Sequence, residues 1–241
     1  MKIALVGYGK MGHIIERIAL ERGHEVVSKV DVDNQEEFES EAFASADVAI
    51  EFTVPAKAVE NYRKAWAAGV PVVSGTTGWN AVLPELKEEI AANGYTLFWA
   101  SNFSLGVNLF FELNRRLAQM MNRYANYDVA MTEIHHTEKK DAPSGTAITL
   151  AEGVLENLDR KEEWVLVDSQ QSTYNSQLGI EALREGKVPG THIVSYDSAV
   201  DTITIKHEAK SREGFALGAV VAAEFLVGKP AGFYSMSDLI K

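Results

Sequence analysis

Gly7-Tyr8-Gly9-Lys10-Met11-Gly12 stands between a short apolar run, Lys2–Val6, and a helical pattern over Met11–Arg22. A G-x-G-x-x-G spacing at a strand-to-helix turn is what a dinucleotide needs. Gly7 permits the tight turn, Gly9 lets a pyrophosphate approach the backbone, and Gly12 lets helix and strand pack closely. The helix N-terminus then offers free N–H groups and a partial positive charge to the phosphates. Tyr8, Lys10 and Met11 complete the loop. A second β-rich run ends at Asp31, about 20 residues past the last glycine, where a carboxylate accepts both ribose hydroxyls. That carboxylate repels a 2′-phosphate and no arginine follows in Val32-Asp33-Asn34, which favours NADH; Lys29 and Lys10 leave NADPH open. The alternatives are a ligand-free glycine turn and a solvated strand-end acid.

Outward from this loop the pattern repeats. The β-rich runs Lys2–Val6, Glu25–Asp31, Ala46–Thr53, Val70–Ser74 and Thr96–Ser101 alternate with helical stretches over Met11–Arg22, Pro55–Ala68 and Ala81–Ala92. Pro55 sits at a helix start, and Gly23, Gly69 and Gly94 sit at helix ends. Near-continuous apolar strands linked by helices predict an α/β fold with a Rossmann-type, doubly wound parallel sheet. Ligands bind such sheets at the C-terminal ends of the strands. Two further loops lie there, Gly75-Thr76-Thr77-Gly78 and Ala100-Ser101-Asn102-Phe103. Their small residues let a nicotinamide ring lie near backbone, with Asn102 or Thr77 bonding its carboxamide; each taken alone is an ordinary β–α turn.

The rhythm changes near residue 104. Ser104–Arg123 is one long amphipathic helix with Leu105, Leu109, Leu113, Leu117 and Met120 expected on its apolar face. Strand-like stretches follow over Asp128–His136, Trp164–Asp168, His192–Tyr196 and Thr202–His207, with a helix over Ser144–Leu158. Alternation such as Thr202-Ile203-Thr204-Ile205 fits a sheet with one covered face. Asp168–Gln177 and Gly186–Gly190 read as loops, and Gly214–Val227 as a last apolar helix returning to the first unit. The expected organisation is a dinucleotide-binding domain over 1–103 and 215–241, and an α+β substrate-binding and oligomerisation domain with a mixed sheet over 104–214.

Composition narrows the function. The 241 residues contain no cysteine, which excludes disulfide frameworks, cysteine-ligated metals and thiolate nucleophiles. A formal charge of −11 argues against binding to nucleic-acid phosphates. The longest apolar run, Phe215–Ala223, is half of what a membrane span requires, and no signal-peptide pattern opens the chain. A cytoplasmic location is the expectation.

Glu133-Ile134-His135-His136-Thr137-Glu138-Lys139-Lys140-Asp141-Ala142-Pro143-Ser144-Gly145-Thr146-Ala147 is the most informative stretch. It runs from a strand end through a charged loop into a helix. Histidine is the side chain best suited to proton exchange near neutrality, and Lys139 adds a fixed cation. Ser144-Gly145-Thr146 opens a helix whose free N–H groups and hydroxyls hold a carboxylate. Glu133, His135, His136 and Asp141 also suggest metal ligands, but adjacent strand histidines point to opposite faces, and no metal is expected. Ser144 lacks the G-x-S-x-G elbow of a serine nucleophile. A hydride carrier, a proton donor and an anion clamp together describe a reductase of a small carboxylate-bearing substrate. Another NAD-linked dehydrogenase of an aspartate-type carboxylate, or a nucleotide-sensing module without chemistry, are the competing readings.

These motifs, with Gly190-Thr191-His192 and Ser211-Arg212, resemble the dihydrodipicolinate reductase (4-hydroxy-tetrahydrodipicolinate reductase) family over nearly the whole chain. The resemblance implies reduction of a cyclic unsaturated dicarboxylate to tetrahydrodipicolinate by NADH or NADPH, in diaminopimelate and lysine biosynthesis. It implies that His135 is the acid/base and Lys139 a second proton donor, with His136, Lys139, Gly145 and Thr146 cradling a carboxylate. It also implies a homotetramer joined through the sheets of the second domain. Two positions depart from the family pattern: Glu138 stands where some relatives carry a basic residue, and Val221 about where some carry an arginine.

Overall fold

Ile3 and Leu5 face one hydrophobic core and Ala4 and Val6 another, because successive side chains on a strand point to opposite faces. That alternation in β1 (Lys2–Val6) sets the layering of everything packed beside it. In the computed structural model the described residues are 1–168, 175–211 and 213–241. They form two units, Met1–Leu105 with Glu213–Lys241, and Gly106–Arg212.

After β1 come α1 (Lys10–Glu21), β2 (Glu25–Val30), a short α2 (Glu41–Ala44), β3 (Val48–Glu51), α3 (Pro55–Ala67), β4 (Val72–Ser74), α4 (Leu83–Asn93) and β5 (Thr96–Trp99). Next are α5 (Leu105–Met121), β6 (Asp128–His135), α6 (Gly145–Leu155), β7 (Glu163–Val167), β8 (Gln177–Arg184), β9 (Thr191–Asp197) and β10 (Thr202–Glu208). The chain closes with α7 (Glu213–Leu226), β11 (Gly232–Tyr234) and α8 (Met236–Leu239).

The first unit is built on a six-stranded sheet in the order β11-β5-β4-β3-β1-β2 with every pairing parallel, as the doubly wound reading predicts. Ile15 and Ile18 of α1 and Ala216, Ala219 and Val220 of α7 cover one face. Phe43 of α2, Tyr62 and Trp66 of α3 and Leu86 and Ile90 of α4 cover the other. Each fully buried aliphatic or aromatic side chain is worth about 1.5–3 kcal/mol of transfer free energy, so strands buried on both faces are the stable solution for such apolar runs. The glycine loop is shaped by contact: Gly7 has φ +90 and a Cβ there would stand 2.2 Å from Phe52 O, while a Cβ at Gly12 would stand 2.5 Å from Gly7 O. At Gly9 such an atom would meet nothing within 4 Å, which leaves room for a ligand.

The second unit carries a five-stranded mixed sheet in the order β10-β9-β6-β8-β7. β6 and β7 pair parallel with β8, and β9 pairs antiparallel with β6 and β10. Val129, Met131, Leu178, Ile180, Val194 and Tyr196 pack against Phe110 and Ala118 of α5 and Leu150, Ala151 and Val154 of α6.

The structure corrects the sequence reading in two places. β8 and β11 are strands that the sequence reading does not contain; β8 alternates buried Leu178 and Ile180 with residues whose polarity, beside Gly179, masks the period of two. The apolar face expected on α5 is only in part the buried one: Val107, Phe110, Asn114, Ala118 and Met121 turn inward and Leu105 and Leu117 are partly buried, whereas Leu109, Leu113 and Met120 are 56%, 50% and 65% exposed. The steps of four drift about 40° around the helix each, so the five residues spread over about 120° of arc, turned away from the narrower stripe that the three-and-four series from Val107 to Met121 lays against the core. The loop expected over Asp168–Gln177 falls mostly on residues 169–174, which lie outside the described residues, as does Arg212. No helix among the described residues is long and apolar enough to cross a membrane.

Candidate active site

In the second unit the sheet register assembles a buried polar cluster. Glu133 and His135, two apart on β6, share the helix-covered face. Glu133 pairs across with His192 of β9, and His135 with Arg184 of β8. Glu133 is 0% and His135 7% exposed. His135 Nδ1 lies 3.4 Å and His192 Nε2 3.7 Å from Glu133 Oε2, and Arg184 Nη2 lies 3.3 Å from Oε1. The two imidazoles meet edge to face with centroids 5.1 Å apart. Burial pushes the Glu133 carboxyl up, but hydrogen bonds from His135 and Ser144 outweigh it and hold the group at about 2. His192 is driven down to about 4, chiefly by burial and then by the neighbouring His135, so it is neutral at physiological pH.

The charged loop closes over this cluster. Ser144 caps α6: its N–H donates to both Glu133 oxygens at 3.1 Å, and its hydroxyl accepts the Ala147 N–H at 3.2 Å and lies 3.2 Å from His192 Nε2. The Ser144 side chain is therefore committed within the protein. Gly145 and Thr146 contribute the N–H groups of the first turn, which helix geometry leaves without an internal partner. Lys139 Nζ bonds both Asp141 oxygens at 2.8 Å. Arg184 donates to the backbone oxygens of Lys139 and Asp141 at 3.3 and 2.7 Å, which ties the loop to Glu133. His136 lies past the end of β6 and is half-buried; Glu138 is exposed. The donor atoms of Glu133, His135 and His192 all lie within 4.8 Å of one another, while His136 and Asp141 are not part of that group. The Glu133 oxygens already accept from Ser144 and Arg184, which leaves little capacity for an ion.

In the first unit two cavities flank the glycine loop. One of about 460 Å³ is lined by Gly9, Lys10, Met11, Phe52, Thr53, Pro55, Gly75, Thr76 and Thr77. Another of about 500 Å³ includes Gly7, Asp31, Val32, Gln35, Lys57, Glu60 and Lys64 in its wall. Among the described residues Asp31 Oδ1 accepts the N–H of Val32, at 2.9 Å, so the carboxylate keeps lone pairs for ribose hydroxyls. Three of the lysines nearby are engaged: Lys29 pairs with Glu16 at 2.6 Å and bonds the Tyr8 hydroxyl, and Lys57 and Lys64 pair with Glu60 at 2.9 and 2.8 Å; Lys10 stands in the wall of the first cavity. Tyr8 also donates to Glu16. Thr76 is buried and donates to Glu51 at 2.9 Å, whereas Thr77 is exposed. Ala100, Ser101, Asn102 and Phe103 line neither cavity; Phe103 is buried beside Phe52 and Phe98, and Asn102 accepts the Ser104 N–H at 2.9 Å. These donor sets and the open space at Gly9 fit a dinucleotide.

Sequence reasoning passes over Glu133 as anything but a metal ligand, and over Arg184 and Glu51. The period of two in Glu133-Ile134-His135 was a usable signal for the first; the others become neighbours only through sheet register.

Comparison with known proteins agrees across the chain. Residues 1–103 match the family described as Dihydrodipicolinate reductase, N-terminus, and residues 106–240 that described as Dihydrodipicolinate reductase, C-terminus. A 4-hydroxy-tetrahydrodipicolinate reductase of Christiangramia forsetii is 48% identical over 100% of this chain and 98% of its own length. One of Methanopyrus kandleri is 42% identical over 81% of this chain and 71% of its own. Among solved structures, a dipicolinate-bound dihydrodipicolinate reductase of Paenisporosarcina sp. TG-14 superposes with a TM-score of 0.74 at 21% identity, covering 98% of this chain and 97% of that one. At that identity the match speaks for the fold.

Proposed function

The chain belongs to the dihydrodipicolinate reductase family, and from that we propose that it reduces 4-hydroxy-tetrahydrodipicolinate to tetrahydrodipicolinate with NADH or NADPH, in diaminopimelate and lysine biosynthesis, using His135 as the proton donor. The observation that carries the residue assignment is the convergence of Glu133, His135, Arg184, His192 and the first turn of α6 at one end of the second sheet.

Substrate and product differ by one hydroxyl, so the reaction consumes a hydride and a proton and releases water. The bound nicotinamide nucleotide supplies the hydride. His135 Nδ1 faces Glu133 Oε2 at 3.4 Å, which leaves Nε2 for the departing hydroxyl; a Cβ at Gly190 would stand 3.0 Å from that nitrogen, so glycine there keeps it uncovered. Lys139 exchanges Asp141 for a substrate carboxylate and serves as the second donor. The N–H groups of Gly145 and Thr146, at the positive end of α6, take up a ring carboxylate beside His136. Arg184 offsets the buried Glu133 charge.

Asp31 with its free lone pairs, and lysines already neutralised by Glu16 and Glu60, support a preference for NADH. Gly7, Tyr8, Gly9, Lys10, Met11 and Gly12 hold the pyrophosphate, and Gly75, Thr76 and Thr77, in the wall of the same cavity, the nicotinamide side. The exposed apolar residues Leu166 and Ile203 on the edge strands β7 and β10 are consistent with assembly through the second sheet into a homotetramer. Following NADH oxidation with the freshly condensed product of aspartate semialdehyde and pyruvate tests the activity: turnover inhibited by pyridine-2,6-dicarboxylate is expected, and no rate above background refutes it.

A further inference from the structure

Glu51, the last residue of β3, is 1% exposed and takes no part in the proton chemistry proposed for the second unit. Its Oε1 accepts the Thr76 hydroxyl at 2.9 Å, the Thr53 N–H at 3.1 Å and the Thr53 hydroxyl; its Oε2 accepts the Ser74 hydroxyl at 2.5 Å. Ser74 Oγ is in turn 2.6 Å from the Tyr62 hydroxyl, and Asn61 donates to Thr53 Oγ1 at 3.2 Å. Four donors converge on one carboxyl, and all are neutral. No lysine, arginine or histidine among the described residues pairs with Glu51. Burial leaves its carboxyl raised above the usual carboxylate range, and the donors from Ser74, Thr53 and Thr76 offset only part of that rise.

Position gives this charge a consequence. Thr53 and Thr76, the two residues that bond Oε1, both line the cavity beside Gly9, Lys10 and Met11. A buried anion held by neutral dipoles acts on nearby charge far more strongly than one in water. Between the two redox forms of a nicotinamide nucleotide, the charge that changes is on the ring: neutral when reduced, cationic when oxidised. We propose that Glu51 is a positioning and electrostatic residue of the nucleotide site, whose unpaired buried charge favours the cationic, oxidised ring and so promotes hydride donation. This rests on the nucleotide reading of that cavity.

The test is the ratio of dissociation constants for NAD+ and NADH, measured by calorimetry on the full chain. Glu51→Gln is nearly isosteric, and the Tyr62–Ser74 hydroxyl pair, either of which is able to donate, can reverse to accept the new amide. Its expected effect is a rise in Kd(NAD+)/Kd(NADH) of about fivefold or more. Ser74→Ala, which keeps the charge, is expected to weaken both forms alike and leave the ratio within about twofold. If Glu51→Gln weakens both nucleotides equally, Glu51 is only a structural tie and the proposal fails. A measurement on the unaltered protein guards against a variant that does not fold: NAD+ should bind at least about fivefold more tightly than benzamide adenine dinucleotide, whose ring is neutral, and equal binding overturns the proposal. If the unaltered protein binds neither NADH nor NAD+, the nucleotide reading itself falls.

Discussion

The Nε2 atom of His192 lies 3.2 Å from the Ser144 hydroxyl, which fastens β9 to the first turn of α6. Ser144 Oγ already accepts the Ala147 N–H, so its own proton is free to go to the imidazole. A neutral His192 is the form that completes this contact.

That neutrality has a cost at low pH. The folded imidazole is held near 4, against an ordinary value of 6.5. Between these values the unfolded chain takes up a proton that the folded one refuses, so stability is full above about pH 6.5 and falls toward pH 4, by about 3 kcal/mol. Glu133, depressed to about 2, adds a further loss only below about pH 4.5. Urea unfolding at pH 7 and 4.5 should show the decline in the native protein and a shallower one in His192→Gln; equal declines would remove His192 as the cause.

His135→Asn and Lys139→Ala should each lower kcat by about 10²-fold. Glu133→Gln should lower kcat by about tenfold with the KM for NADH unchanged, since Glu133 touches only the second unit's cluster. A parallel rise in the nucleotide KM would show a general structural defect instead.

Asp31→Ala should reduce kcat/KM for NADH more than for NADPH, because the ribose hydroxyls lose their acceptor while a repelling charge disappears. Glu16→Gln, by releasing Lys29 from its 2.6 Å ion pair, should raise kcat/KM for NADPH alone. Equal changes for the two nucleotides in both variants would leave Asp31 and Lys29 as bystanders.

A Cβ at Gly218, in α7, would stand 1.7 Å from the backbone oxygen of Phe103. Since the obstacle is main chain, α7 itself must shift. Overpacking of this kind costs about 3 kcal/mol, and Gly218→Ala should lower Tm by about 6 °C or more. An unchanged melting curve would mean that α7 rides looser on the sheet than its buried Ala216, Ala219 and Val220 indicate.

Dialysis against EDTA should leave kcat unchanged, since Ser144 and Arg184 already occupy the Glu133 oxygens. Activity lost on chelation and restored by zinc would reassign Glu133, His135 and His192 as ligands.

The doubly wound sheet was legible in the chain because its causes are local. Runs such as Ile3–Val6 are apolar at every position, so they demand cover on both faces, and Gly7-Tyr8-Gly9-Lys10-Met11-Gly12 marks the turn between them. His135, Lys139 and the start of α6 were legible for the same reason: they lie within one stretch whose residue types already state a chemistry. Only the tertiary structure could reveal that Glu133 meets Arg184 and His192, or that Glu51 gathers the hydroxyls of Thr53, Ser74 and Thr76. Those contacts join residues from 2 to about 60 positions apart, and strand register selects them. The inward stripe of α5 was likewise decided by what it packs on, with Asn114 donating to Leu150 O at 2.8 Å, a partner that no periodicity along the helix itself contains.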